Sequence, residues 1–146
     1  MDYREQQNSI KTYIETYYPL YLTQAEKPQI EAYIDDFLDL DKYSKSRQLF
    51  YFFDYYNYEY LSNQSESEEF EFKVYIVFKN DRVQNLRDNL LDYTSIFYTM
   101  FDQSGRNLGG IADYGQITSV EFFPAAEGHR EVKIAEITIK LFTETE

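Results

Sequence analysis

Glu69-Phe-Glu-Phe-Lys-Val-Tyr-Ile-Val-Phe-Lys79 alternates apolar and polar residues, and the stretch that follows it changes period. Phe70, Phe72, Val74, Ile76 and Phe78 fall on one face, with Glu69, Glu71, Lys73 and Lys79 on the other, the pattern of a half-buried strand. Val83, Leu86, Leu90, Tyr93, Phe97 and Met100 or Phe101 then recur every three or four residues, the stripe of an amphipathic helix over Asp81–Phe101. Asp81 stands at the N-cap position with Gln84 three residues later, which fits a capping box. A strand face and a helix face that are both apolar must cover each other.

The 146 residues fit one domain, 1–146, burying roughly 68–70% of its unfolded surface. Apolar residues make up 43% and aromatics 19%, with 16 tyrosines. Amphipathic rings in such number suit a protein–protein surface, and they equally fill a β-rich core. The net charge of −12, from 14 Lys plus Arg against 26 Asp plus Glu, repels phosphate backbones and argues against nucleic-acid binding. A pore that DNA slides through, a surface that imitates DNA, and plain solubility all fit that charge. There is no cysteine, so disulfide and thiolate chemistry are excluded. The polar start Met-Asp-Tyr-Arg lacks a signal core, and no apolar run reaches the ~20 residues that span a bilayer. The expectation is a soluble cytoplasmic protein without membrane contact.

Outward from the central stretch, residues 3 to 18 read as a first helix with Ile10, Tyr13, Ile14 and Tyr17 inward. Pro19 is expected to end it, with Leu20-Tyr-Leu22 a short extended piece. Pro28 suits the first turn of a second helix whose stripe is Ile30, Tyr33, Ile34, Phe37 and Leu38, part of it possible as strand. Residues 41 to 48 are a polar link carrying Lys42, Lys45 and Arg47. Leu49 to Leu61 is an aromatic strand, apolar on both faces in its first half, which predicts cover from both sides or a bulge. The polar turn from Ser62 to Glu68 pairs it with the central strand as an antiparallel hairpin.

Beyond the central helix, Asp102 to Gln116 holds four of five glycines and reads as a flexible loop. Ile117–Phe123 and Glu131–Phe142 read as the closing strands around a turn at Pro124–Arg130, with Thr143–Glu146 frayed. The fold class is therefore α+β. Its antiparallel sheet of four to five strands carries the long helix on one face and one or two helices at the N-terminus.

No catalytic motif stands out. Gly105-Arg-Asn-Leu-Gly-Gly110 lacks the Gly-Lys-Ser/Thr ending of a phosphate loop and follows a helix, not a strand. His129, the one histidine, reads as an exposed turn residue without partners for a triad or zinc site. Two acidic clusters, Glu66 to Glu71 and Asp35 to Asp41, lack calcium-loop spacing and read as solvated faces. No catalytic residue, cofactor or metal is predicted.

The order of elements resembles that of the tail-terminator (tail-completion) proteins of long-tailed phages. The resemblance lies in Ile10-Lys-Thr-Tyr-Ile-Glu-Thr-Tyr-Tyr-Pro-Leu-Tyr21, in the hairpin ending Phe70 to Phe78 with its helix, and in the closing strands to Phe142. It is one of pattern and size over most of the chain, without a diagnostic motif. Gln29 to Leu40 departs from it, since the family often has a strand where the periodicity here predicts helix. The resemblance implies a structural virion protein rather than an enzyme: a homo-oligomeric ring, usually of six subunits, that caps the tail tube and contacts tube and neck proteins. It would assemble in the host cytoplasm, and a negative lumen would let DNA pass. Subunit or partner contacts are then expected at Tyr51, Tyr56 and Tyr58 on the aromatic strand and at Arg106, Gly109 and Gly110 in the glycine loop. The alternative is a small acidic inhibitor, either immunity-type or a DNA-mimicking anti-defence protein. An enzyme with paired carboxylates has the least support.

Overall fold

The computed structural model describes residues 2–40, 46–60, 66–79, 86–123 and 132–145. In chain order the elements are α1 (Tyr3–Gln24), β1 (Ala32–Ile34), β2 (Arg47–Tyr60), β3 (Glu66–Lys79), α2 (Leu86–Gln103), β4 (Tyr114–Phe123) and β5 (Val132–Thr145). They form an α+β fold around one five-stranded sheet in the order β1-β2-β3-β5-β4. All pairs are antiparallel except β1 with β2, which is parallel, so the sheet is mixed rather than purely antiparallel.

The central strand follows its period. Phe70, Phe72, Val74, Ile76 and Phe78 are buried in the larger core cluster. In register beside them stand Leu49 and Tyr51 of β2 and Ala135, Ile137, Ile139 and Leu141 of β5, so one sheet face is apolar across three strands. Both helices contribute to that cluster through Ile10, Ile14, Tyr18 and Leu22 of α1 and Tyr93, Phe97 and Met100 of α2.

The opposite face is polar only along part of its length. Lys73 pairs with Glu136 at 2.6 Å and Lys140 with Glu69 at 3.1 Å, both diagonally across β3 and β5. Further along, Phe50, Val77 and Ile134 form a second buried cluster with Ile34, against which Leu38 and Leu40 pack. The aromatic strand is thus covered on both sides near its start. It also has a register shift between Phe53 and Tyr55, so the expected cover and the expected bulge both occur.

Several boundaries differ from expectation. Pro19 does not end the first helix, which runs through it to Gln24, and Leu20-Tyr-Leu22 is helical rather than extended. A proline inside a helix costs about 3 kcal/mol, whereas fully burying one large side chain contributes about 1.5–3 kcal/mol. Tyr18 and Leu22, both at 0% exposure, lie on either side of Pro19 and together outweigh it. The Pro19 carbonyl is also bonded, accepting from Thr23 Oγ1 at 2.9 Å and Gln29 Nε2 at 3.0 Å. The inward tyrosine is therefore Tyr18, and Tyr17 is exposed. Asp2 caps the helix, accepting from the Glu5 amide at 3.1 Å.

The second helix predicted after Pro28 is absent; β1 stands there instead. Ile30 lies in the larger cluster and Ile34 in the smaller one, on opposite faces of the sheet. One helical stripe cannot reach both; within β1 the neighbours Tyr33 and Ile34 alternate onto the two faces, and Ile30 lies before the strand begins. Phe37, assigned to that stripe, is exposed. Arg47, placed in the polar link, opens β2 and donates from Nε to the Gln29 carbonyl at 3.0 Å.

Elsewhere the strands are longer than predicted: β3 begins at Glu66 inside the expected turn, β4 at Tyr114 inside the expected loop, and β5 reaches Thr145 through the tail expected to fray. The described part of the central helix begins at Leu86. The Asp81 cap with Gln84, Lys42 and Lys45, most of the Ser62–Glu68 turn, and the Pro124–Arg130 turn with His129 lie outside the described residues.

Candidate functional site

The glycine segment after α2 carries its own hydrogen bonds and a run of left-handed residues. Gly105, Arg106, Leu108, Gly109 and Gly110 all have positive φ, from 53° to 100°. The Arg106 amide donates to the Phe101 carbonyl at 3.2 Å, and the Gly110 amide to Asn107 Oδ1 at 3.1 Å. Leu108 is buried and anchors the segment to the core. Two non-glycine residues in left-handed conformation store strain that this burial offsets. Gly109 packs so close to α1 that a Cβ there would meet Tyr13 Cδ2 at 3.1 Å. The Tyr13 hydroxyl donates to the Met100 carbonyl at 3.3 Å, joining α1 to α2 beside this contact.

Gly109 and Gly110 border an open groove of about 810 Å³ whose other wall is the outer face of α1, with Asn8, Ser9, Thr12 and Thr16. Arg106 stands away from it, exposed and tied to Asp102 Oδ1 at 2.8 Å, an ion pair between the end of α2 and the segment that follows it. That pairing raises the Arg106 pKa further.

The tyrosines of β2 separate. Tyr51 is fully buried, with its hydroxyl donating to Glu15 Oε2 at 3.1 Å, so it belongs to the interior of this chain and not to its surface. Burial and the Glu15 carboxylate both push its pKa up. Tyr56 is half-buried, stacked on Phe70 at 5.0 Å and touched edge-on by Tyr3 at 4.6 Å. Tyr58 stands opposite Glu68 in the strand register. The six expected contact residues therefore do not converge: Tyr56 and Tyr58 follow the β2 edge, Gly109 and Gly110 the α1 groove, Arg106 the turn, and Tyr51 the core.

Exposed strand edges are expected to supply ring contacts by strand addition, and the strand order decides which edges these are. β1 covers β2 only from Gln48 to Phe50, and β4 pairs only with β5. Among the described residues, the outer side of β2 from residue 51 and the outer side of β4 have no strand partner. Such edges template further pairing. Counting alternations down the sheet, β2 and β4 run in opposite directions.

Chemically, the interior is a set of protonated phenols. Tyr18 donates to the Tyr93 carbonyl at 2.8 Å, and the Tyr33 hydroxyl is buried without a hydrogen-bond partner. Desolvation pushes Tyr18 and Tyr33 up and holds both neutral at ordinary pH. Among the described residues, no group of three His, Cys, Asp or Glu side chains is placed to hold a metal ion, and no helix is long and apolar enough to cross a membrane. No protein-family model matches the chain, and no curated protein matches it.

Proposed function

We propose that this chain is a structural subunit that joins copies of itself edge to edge into a closed ring, and that the ring caps the tail tube of a long-tailed phage. The observation that supports ring formation is the pair of unpartnered, oppositely directed edges on one sheet. Rotation about an axis roughly parallel to the strands preserves strand direction. The β4 edge of one copy therefore meets the β2 edge of the next in antiparallel sense. That contact uses two different surfaces, so it is heterologous and closes when the rotation divides a full turn. The lengths are compatible, since β4 spans ten residues and β2 continues to Tyr60. The tail-cap role rests on the resemblance in element order, together with a net charge of −12 that lets DNA pass without trapping it.

Light scattering across concentration, followed by negative-stain images, tests this reading. Closed rings of about six subunits are expected from the resemblance. A strict monomer at every concentration, also when mixed with tail-tube ends, overturns it.

A further inference from the structure

Resting on the edge-to-edge joint proposed above, we infer that β4 of one copy docks on β2 of the next only beyond the β2 bulge, because Gln7 closes the edge before it. The Ser46 carbonyl accepts from the Lys79 amide at 2.7 Å, and the Arg47 carbonyl accepts from the Glu31 amide at 2.9 Å. Backbone groups alternate sides along a strand, so Leu49 and Tyr51 point away from β3 as Arg47 does. β1 covers that side through Phe50. The next outward acceptor, the Tyr51 carbonyl, is taken by Gln7 Nε2 of α1 at 3.2 Å. The register shift between Phe53 and Tyr55 then interrupts the edge.

Beyond the bulge, the alternation is set from β3. Lys79 faces β2, so Lys73, Glu71 and Glu69 face it too. Tyr55 and Asn57 stand opposite Glu71 and Glu69, which turns the backbone of residues 56, 58 and 60 outward. On the other edge, the Asp113 amide donates to the Phe142 carbonyl at 2.9 Å, so Phe142, Lys140, Thr138 and Glu136 face β4. Their opposites Gln116, Ser119 and Glu121 point inward, and Gly115, Ile117, Val120 and Phe122 point outward.

The two outward rows match in face as well as in direction. Tyr56, Ile117 and Val120 all pack against the larger core cluster, on the helix-bearing side of the sheet. In an antiparallel pair, residues that exchange hydrogen bonds stand opposite each other with their side chains on one face. A joint between edges of opposite face would turn every side chain of one copy over. Here the helix-bearing side runs unbroken from one copy into the next, and the partner of the far part of β2 is a second copy of this chain.

The test is amide exchange of the full chain, resolved to single residues by electron-transfer mass spectrometry, at concentrations below and above assembly. Assembly is expected to slow exchange at least about tenfold at residues 56, 58 and 60 and at Ile117, Val120 and Phe122, leaving Tyr51 and Phe53 unchanged. Gln7→Ala is expected to extend the slowing to Tyr51 and Phe53 with the circular dichroism unchanged, since the Gln7 contact is only partly buried. Slowing at Tyr51 and Phe53 in the native chain, or a Gln7→Ala pattern identical to the native one, overturns the inference and leaves the ring standing. A chain that stays monomeric with one exchange pattern at every concentration overturns the ring and the inference together.

Discussion

The Tyr18 hydroxyl donates to the main-chain carbonyl of Tyr93 across 2.8 Å, joining two buried residues on the two helices. The same ring meets Phe97 edge-on at 5.5 Å. This contact keeps α1 helical past its proline, because the residue before Pro19 is the one most deeply committed to the core.

Tyr18→Ala is therefore expected to cost about 3–5 kcal/mol by loss of a buried aromatic. Tyr18→Phe should cost only about 1 kcal/mol, since the Tyr93 carbonyl keeps its helical partner. Tyr33→Phe should be neutral or stabilising, because it removes a buried hydroxyl that has no partner. Urea unfolding of the three variants checks the order.

The buried phenols predict alkaline instability. Tyr13, Tyr18, Tyr33, Tyr51 and Tyr75 are all raised above the ordinary value of 10.0, with burial the leading cause. Above about pH 10 the unfolded chain releases these protons first, so stability falls as pH rises, by about 1.4 kcal/mol per pH unit for each phenol still protonated. Denaturant midpoints measured from about pH 8 to about pH 11 should decline, with tyrosinate absorbance appearing at unfolding. A flat profile would contradict the buried network.

The glycines between α2 and the start of β4 differ in what they tolerate. At Gly115 a Cβ would lie 2.3 Å from Leu141 Cδ2 and 2.7 Å from the Arg106 carbonyl, one of them backbone that cannot swing away. Gly110 has nothing within 4 Å and only a φ of +100° to defend. Gly115→Ala should cost about 1–3 kcal/mol through overpacking and Gly110→Ala about 1–2 kcal/mol through backbone strain. Thermal melts of each variant separate the two, with Gly115→Ala the lower.

How much of this was readable depends on which residues answered to one neighbour. The alternation from Phe70 to Phe78 and the stripe from Leu90 to Phe101 each face a single apolar surface, so their periods survive intact. Ile30 and Ile34 serve two clusters on opposite faces, and at four residues apart they imitate a helical stripe. Pro19 misled because local backbone preference lost to the burial of Tyr18 and Leu22. Tyr51 and Tyr56 look alike in sequence and face the same core cluster, yet only Tyr51 is fully covered. The open edges of β2 and β4 are properties of strand order, which no single stretch encodes.

Charge placed on the β4 edge should separate assembly from folding. Ser119→Lys with Glu121→Lys, both at exposed positions, is expected to abolish rings while changing monomer stability by less than about 0.5 kcal/mol per site. Sedimentation alongside urea unfolding checks both halves of the expectation.

The absence of cysteine allows the edge contact to be probed directly. Cysteines introduced together at Ser119 on β4 and Asn57 on β2, both exposed, would be treated with a short bis-maleimide and run under denaturing conditions. Edge-to-edge closure predicts a ladder of covalent species ending at a fixed size, with either single variant giving no ladder. A double variant that yields only monomers, or a Ser119→Cys variant that couples to itself as dimers, would contradict the ring.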